Sequence, residues 1–189
     1  MDRSVFGIEL GKPLDPNIKE CGMRKLPFRK NTFIYTDNIP ELCFRRDFGD
    51  VNAYFPKPDG PIIDGAMYVV FPRNNVPEIV HAGILVVGVI GGSVEWVMFV
   101  TDGIEKTDDI MKVLTAKYKS PTMNITDEIQ VRAGSKFPRL TARWLLPDLF
   151  ITFQSVAADL NTGNVTISTK KGEDNLLARE QKLPSGPQL

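Results

Sequence analysis

The chain has 189 residues, of which 42% are hydrophobic and 24% are charged, the ordinary range for a globular protein with one sizeable core. Its 23 Lys and Arg balance its 23 Asp and Glu, which argues against a nucleic-acid partner because such domains carry a basic excess. The longest apolar run, Ala82–Ile90, is too short to cross a bilayer, so we expect no transmembrane segment.

The N-terminal part, residues 1–64, is rich in loops and contains both cysteines. Strand candidates are Thr32–Thr36 and Leu42–Phe44, and a proline-bearing surface loop follows from Phe48 to Asp64. Cys21 and Cys43 are either two unrelated buried thiols or one disulfide in an oxidising compartment. A disulfide closing that loop would contribute about 3 kcal/mol, and the spacing alone leaves both interpretations open.

Residues 65–170 predict an antiparallel β-sheet built from hairpins. Ala66–Phe71 reads as a strand, and Ile84–Ile90 with Val94–Thr101 form the clearest hairpin, around the turn Gly91-Gly92. Strict alternation sorts the second strand of this hairpin into two faces, one expected to be fully buried and the other partly covered. The first face comprises Val94, Trp96, Met98 and Val100, and the second Ser93, Glu95, Val97 and Phe99.

A short packed helix is predicted at about residues 106–119. Thr107 is a credible N-cap, with Asp108 and Asp109 in the first turn, where the helix dipole favours acidic side chains. Ser120-Pro121 ends the helix. Helical spacing places one apolar face toward the sheet: Ile110, Val113, Leu114 and Tyr118.

The remaining segments predict further strands and a second helix. The interpretation is a strand at Glu128–Ala133, a basic turn at Gly134–Arg139, a hairpin from Leu140–Leu145 and Leu149–Val156, and a strand at Val165–Thr169. Gly172–Lys182 is a weak helix candidate, and residues 183–189 are expected to form a disordered tail. The fold class is therefore a single α+β domain over residues 1–189.

Catalytic chemistry finds little support in the sequence. His81 is the only histidine, so most triad and imidazole-metal designs are excluded, and we expect no catalytic residue, no metal and no cofactor. The hypothesis is a protein that is not an enzyme. The alternative is a hydrolase that uses dispersed carboxylates, which sequence cannot exclude because such pairs come from distant positions.

Two small basic patches are the best candidates for contact with a protein partner. One patch is Arg45 with Arg46, and the other consists of Arg132, Lys136 and Arg139 around Gly134. Exposed loops on a rigid sheet commonly carry recognition, which favours these residues as partner-binding positions.

The first residues contain no signal-peptide pattern. Met1-Asp2-Arg3 leads directly into Val5–Ile8 without an apolar h-region. The protein is therefore either cytoplasmic or the mature form of an exported protein whose leader has been removed, and composition does not separate the two.

Several segments resemble a group of exported proteins of Gram-negative bacteria. The resemblance runs through most of the chain and rests on Phe6–Leu14 followed by Cys21, Leu42–Arg46, Gly92–Thr101, Leu114–Thr122 and Gly163–Thr169. The sequence departs from the usual Lys-Tyr-Gly-x-Pro at one place, where Lys119 stands in the glycine position, which puts the geometry of the helix C-cap in question.

This resemblance implies a mature periplasmic or envelope protein and favours a Cys21–Cys43 disulfide. The plan of one helix and several strands is also similar to small envelope modules such as the BamE outer-membrane assembly lipoprotein and the β-lactamase inhibitor protein. The resulting hypothesis is a non-catalytic periplasmic protein-binding module, such as an inhibitor or immunity protein against a secreted toxin or cell-wall hydrolase. The alternative to an inhibitor or immunity protein is an envelope assembly or structural protein.

Overall fold

The structure is a computed structural model that describes residues 2–25, 33–36, 38–46, 60–130 and 134–181. The predicted loop Phe48–Asp64 lies mostly outside these residues, and Arg132 and the predicted tail over 183–189 lie wholly outside them. The strands are β1 (Ser4–Val5), β2 (Ile8–Glu9), β3 (Lys19–Glu20), β4 (Met23–Lys25), β5 (Phe33–Tyr35), β6 (Cys43–Arg46), β7 (Gly65–Val70), β8 (Ile84–Ile90), β9 (Ser93–Thr101), β10 (Met123–Gln130), β11 (Lys136–Leu145), β12 (Phe150–Gln154) and β13 (Gly163–Ser168). The helices are α1 (Thr107–Tyr118) and α2 (Lys170–Glu180).

Nine of these strands form one sheet in the order β10-β11-β12-β13-β9-β8-β7-β6-β3. Two antiparallel meanders, β6–β9 and β10–β13, meet where β13 pairs with β9. Helix α1 connects the two meanders. All neighbouring strands are antiparallel except β3 and β6, which are parallel, so the α+β class is confirmed with a mixed sheet in place of a purely antiparallel one.

One face of the sheet, here called the inner face, supplies most of the core. Its strands contribute Leu85, Val97, Phe99, Ala142, Phe153 and Val165, each at most 1% exposed. Helix α1 and the β1–β2 hairpin belong to the same cluster, with Ile110, Leu114 and Tyr118 from the helix and Val5 and Ile8 from the hairpin. The opposite face, here called the outer face, is covered in part by α2.

A β-bulge at Glu95 overturns the strict alternation expected for β9. Val94 pairs with Val89 on β8, but Trp96 pairs with the next residue, Gly88, so Glu95 is the extra residue. After the bulge, each residue of β9 lies on the face opposite to the one that strict alternation from Val94 would give. Val94 therefore shares the inner face with Val97, whereas Trp96 lies on the outer face, where Val100 is 38% exposed.

The N-cap of helix α1 lies one residue before the predicted cap. Lys106 occupies the N-cap position, and Thr107 has helical backbone angles, so the predicted Thr107 cap is wrong. A 3-10 turn at Ile104–Lys106 leads into the helix, and the Thr107 hydroxyl donates a hydrogen bond to the Gly103 carbonyl. Of the predicted apolar face, Ile110, Leu114 and Tyr118 are buried, while Val113 is 45% exposed.

A disulfide closes the N-terminal part of the molecule. Cys21 and Cys43 are bonded and nearly buried, at 2% and 6% exposure. Cys43 lies on β6 and Cys21 follows β3, so the bond joins the chain at the sheet edge where those strands pair in parallel. Of the two interpretations that the residues left open, the disulfide is confirmed.

Candidate binding surface

The outer face carries one continuous row of side chains across eight strands. Strand registers place the row's members opposite one another from β6 to β10: Arg45, Tyr68, Val86, Met98, Thr166, Thr152, Arg143 and Met123. Seven strand spacings of about 4.8 Å give this row a span of about 34 Å along the twisted sheet. The row is long enough to form the axis of a protein-sized interface.

A second row, two residues along the strands, adds exposed apolar side chains to the same face. It runs through Ile84, Val100, Asn164, Gln154, Thr141 and Ile125. Ile84 and Val100 are each 38% exposed and Ile125 is 50% exposed. The outer face therefore combines an apolar zone on β8 and β9 with a zone of alcohol and amide side chains on β11, β12 and β13.

Helix α2 borders this surface and is held against β9 at its first turn. Thr169 caps the helix, since its hydroxyl oxygen accepts a hydrogen bond from Gly172 N at 3.1 Å, and the same hydroxyl bonds the carboxylate of Glu95. Lys171 Nζ donates to the Ile90 carbonyl at 3.0 Å. The Glu95 bulge thus supplies the polar anchor for α2, while Trp96 supplies the apolar surface beneath it.

An open groove of about 390 Å³ lies between α2 and the outer face. Thr152 and Thr166 lie on its sheet side, Leu176 on its helix side, and Arg143 and Glu173 contribute opposite charges. Arg143 Nε lies 3.4 Å from Thr152 Oγ1, and Nη2 lies 3.9 Å from Glu173 Oε1, so both contacts are long. Because guanidinium has five N–H donors and the Arg143 side chain is 40% exposed, it can still take a partner's carboxylate.

Two of the predicted basic residues lie on the β10–β11 ribbon, within a strand and not in a turn. Arg139 donates to both carboxylate oxygens of Asp127, at 2.9 and 2.5 Å, and this hydrogen bonding holds the pKa of Asp127 below its ordinary value. Lys136 Nζ lies 3.1 Å from Glu128 Oε2. The predicted basic turn Gly134–Arg139 is therefore wrong from Lys136 onward, because Lys136 and Arg139 lie in β11. Both residues pair with acidic residues across the ribbon.

The other predicted basic patch lies at the opposite end of the sheet, on β6. Arg45 donates to the Thr36 carbonyl at 2.9 Å and stacks over the Tyr35 ring at 5.5 Å. Arg46 pairs with Glu20 at 3.1 Å and donates to the Gly60 carbonyl at 2.6 Å. Burial raises the pKa of Tyr35, whose hydroxyl donates to Glu20. These contacts fix both arginines near the disulfide, while their role toward a partner stays a prediction.

His81 contacts one acidic residue on the molecular surface. Its Nδ1 lies 2.5 Å from Asp102 Oδ1, and both side chains are about half exposed, at 50% and 48%. Asp102 follows β9, and His81 precedes β8, so the contact joins the two ends of the β8–β9 hairpin. Among the described residues, no group of three or more His, Cys, Asp or Glu side chains is arranged to hold a metal ion.

Arg143, Thr152 and Thr166 are surface residues that the sequence analysis did not single out. Their signal was the predicted strand Leu140–Leu145, in which Arg143 alternates with the buried Trp144 and so must face the other side. What alternation does not supply is the register that places Arg143 beside Thr152 and Thr166 on two further strands.

Comparisons with protein-family models, with curated proteins and with solved structures find no match. The resemblance to exported Gram-negative proteins therefore stays a prediction. In the part of the chain that the structure describes, neither helix has the length and apolarity that a membrane span requires.

Proposed function

We propose that the protein is a non-catalytic module that binds a protein partner with its outer face, in an oxidising compartment such as the periplasm. The continuous surface on the outer face carries this proposal. Sheets that pack on both faces bury both sets of alternating residues. In β12 and β13 one set is buried, whereas the other set is partly exposed except for Ser168. A surface of this kind, with exposed Ile84, Val100 and Ile125, is typical of an interaction site.

The dimensions of the surface suit a folded partner. A standard protein–protein interface buries about 800 Å² on each side, which corresponds to a patch about 30 Å across. The outer-face row spans about 34 Å across eight strands at the usual strand spacing. The groove beside α2 would receive a protruding loop of the partner, and a carboxylate on that loop would pair with Arg143.

The disulfide supports the proposed compartment. Disulfides persist in oxidising environments and are rare in the cytosol. The Cys21–Cys43 bond is nearly buried and joins two stretches of the loop-rich N-terminal part. An inhibitor or immunity protein is the form of the hypothesis that the disulfide suits best, because inhibition requires a rigid surface that stays folded in an oxidising compartment.

Photo-crosslinking in living cells tests the binding surface. A photoreactive residue replaces Thr152 in the groove or Val100 in the apolar zone, and a control replaces Ala116, which is exposed on α1. We expect both outer-face positions to yield one covalent product with the same envelope or secreted protein, identified by mass spectrometry. Equal yield from position 116, or no product at either outer-face position, would contradict the proposed surface.

Binding by the purified partner then tests the charge contact. Arg143→Glu reverses a charge in the groove, and Lys112→Glu makes the same reversal on the exposed side of α1. We expect Arg143→Glu to weaken the partner's Kd at least about tenfold, the effect of losing one charged contact, and Lys112→Glu to leave it unchanged. If the partner is an enzyme, the wild-type module should also lower its activity.

Thiol alkylation of native protein tests the compartment. Protein isolated from its own host is alkylated before lysis, and its intact mass is measured with and without a reductant. Both cysteines should be protected until reduction. If both alkylate at once in native protein, the cytoplasmic alternative replaces the periplasmic one.

A further inference from the structure

Strand β10 forms an unusually open edge of the nine-stranded sheet. Its neighbour in the sheet is β11, and among the described residues no strand lies on its other side. Seven of its eight residues are exposed, and only Ile129 is half-buried. An edge strand of this kind presents a row of backbone N–H and C=O groups that can pair with another strand.

The features that usually blunt an edge are mostly missing from β10. The strand contains no Pro, Gly or Lys, and its register with β11 is regular over eight residue pairs. Its two charged residues, Asp127 and Glu128, each pair with a cation on β11. The edge is therefore long, regular and locally neutral, which makes it competent to accept a further strand.

The sequence of β10 is complementary to itself in one antiparallel register. If Thr126 lies opposite Thr126 of a second copy, Ile125 lies opposite Asp127 and Asn124 opposite Glu128. Met123 then lies opposite Ile129, an apolar pair, and the Asn124 amide can donate to the Glu128 carboxylate. This register pairs residues 123–129 and keeps the outer faces of both copies on the same side.

The neighbouring registers are poorer. A register centred on Asp127 places that carboxylate opposite itself, and like charges directly opposite are destabilising. A register centred on Ile125 pairs only residues 123–127. A register whose two-fold axis lies between Thr126 and Asp127 places Ile125 opposite Glu128. The outer face of one copy then lies on the same side of the joined sheet as the inner face of the other.

We propose that two copies of this chain associate through β10 about a two-fold axis at Thr126. The contact is isologous, so it closes as a dimer and does not propagate into a fibre. It joins the two nine-stranded sheets and places both outer faces side by side. The dimer needs no outer-face partner, so its test is independent of the function proposed above.

Cysteine crosslinking of purified full-length protein tests the register. Thr126→Cys should form a disulfide-linked dimer under mild oxidation, because cross-strand neighbours lie 4.5–5.5 Å apart, within disulfide reach. Asn124→Cys and Glu128→Cys should each crosslink poorly alone but well when mixed, since each faces the other across the axis. Ala116→Cys on α1 should form no disulfide-linked dimer, because position 116 lies away from the two-fold axis.

Sedimentation velocity tests the dimer without a crosslink. Wild-type protein should shift from monomer to dimer between micromolar and millimolar concentration. Thr126→Asp places two carboxylates opposite each other and should abolish that shift, while Ala116→Asp should keep it; circular dichroism confirms that both variants are folded. Wild-type protein that stays monomeric throughout, or equal crosslinking at positions 126 and 116, would overturn the proposal.

Discussion

At the scale of single residues, Gly88 is a position where the outer face leaves no room for a side chain. A Cβ atom built on Gly88 would lie 1.9 Å from the Trp96 indole, which covers it from the neighbouring strand. Trp96 is nearly buried, and Arg179 of α2 lies over its ring at 6.0 Å, so little free space surrounds the indole. Overpacking of this kind costs about 1–3 kcal/mol, so Gly88→Ala should lower the free energy of unfolding by that amount.

Chemical denaturation of a double-mutant cycle checks this prediction. In a Trp96→Leu background the indole is gone, and the same Gly88→Ala change should cost clearly less than in the wild type. If the cost is the same in both backgrounds, the indole is not the cause, and the loss comes from backbone conformation alone.

A second residue-scale prediction concerns the two threonines near helix starts. Thr169 is the N-cap of α2, whereas Thr107 lies inside α1 and its hydroxyl donates to Gly103 at 3.4 Å. Thr169→Ala should therefore cost about 1–2 kcal/mol in unfolding free energy, and Thr107→Ala about 0.5 kcal/mol or less. Thr169→Ser should recover most of the loss in unfolding free energy. Urea denaturation of all three variants measures these losses. Equal losses at both threonines would contradict the assignment of the N-cap role to Thr169 alone.

At the scale of elements, the packing of α1 makes the free energy of unfolding depend on pH in the alkaline range. Burial raises the pKa of Tyr118 to about 12, against an ordinary value near 10 for the unfolded chain. The folded state therefore binds this proton more tightly. The contribution of this proton to the free energy of unfolding is complete below pH 10. It is lost as pH rises from 10 toward 12, at up to about 1.4 kcal/mol per pH unit.

Unfolding free energies of wild type and Tyr118→Phe between pH 8 and pH 11.5 check the sign of this effect. The difference between the two proteins should be constant below pH 10 and should move in favour of the variant above it. Tyr35, whose pKa burial also raises, is present in both proteins and cancels in the comparison. Parallel curves across the whole range would show that Tyr118 ionises as freely as in the unfolded chain.

The elements also show which parts of the fold are readable from sequence. The β8–β9 hairpin was predictable because Gly91 and Gly92, both at positive φ, separate two apolar runs. Strand β10 was misplaced at Glu128–Ala133 because an edge strand exposed on both faces has no apolar alternation to read. The Glu95 bulge was not predicted either. One extra residue moves Trp96 to the other face, but it does not change the apolar composition of the strand from which the prediction was made.

At the scale of the whole molecule, the order of the strands is what local patterns could not supply. The last strand, β13, returns to pair with β9 across the sequence of α1 and three other strands. That pairing merges the two meanders into one sheet and brings Thr166 beside Met98. The outer-face row consequently could not be predicted, because half its members come from each meander.

The pairing of β9 with β13, here called the β9–β13 seam, should make the two meanders unfold as one cooperative unit. Each meander contains one tryptophan: Trp96 lies on β9 under α2, and Trp144 lies on β11, where its Nε1 donates to the Lys119 carbonyl at 2.8 Å. In Trp144→Phe, which retains Trp96, the fluorescence midpoint in urea should coincide with the far-UV circular dichroism midpoint. The same coincidence should hold for Trp96→Phe, although the two variants differ in stability.

Separate midpoints within one variant would mean that the meanders unfold independently and that the β9–β13 seam is weak. Val165→Ala tests the seam directly, since Val165 is fully buried opposite Phe99 at that junction. Removing two methyl groups there should cost about 2–3 kcal/mol and lower both midpoints together. Because the outer-face row crosses this seam, a shift confined to one tryptophan would also argue against the rigid surface that partner binding requires.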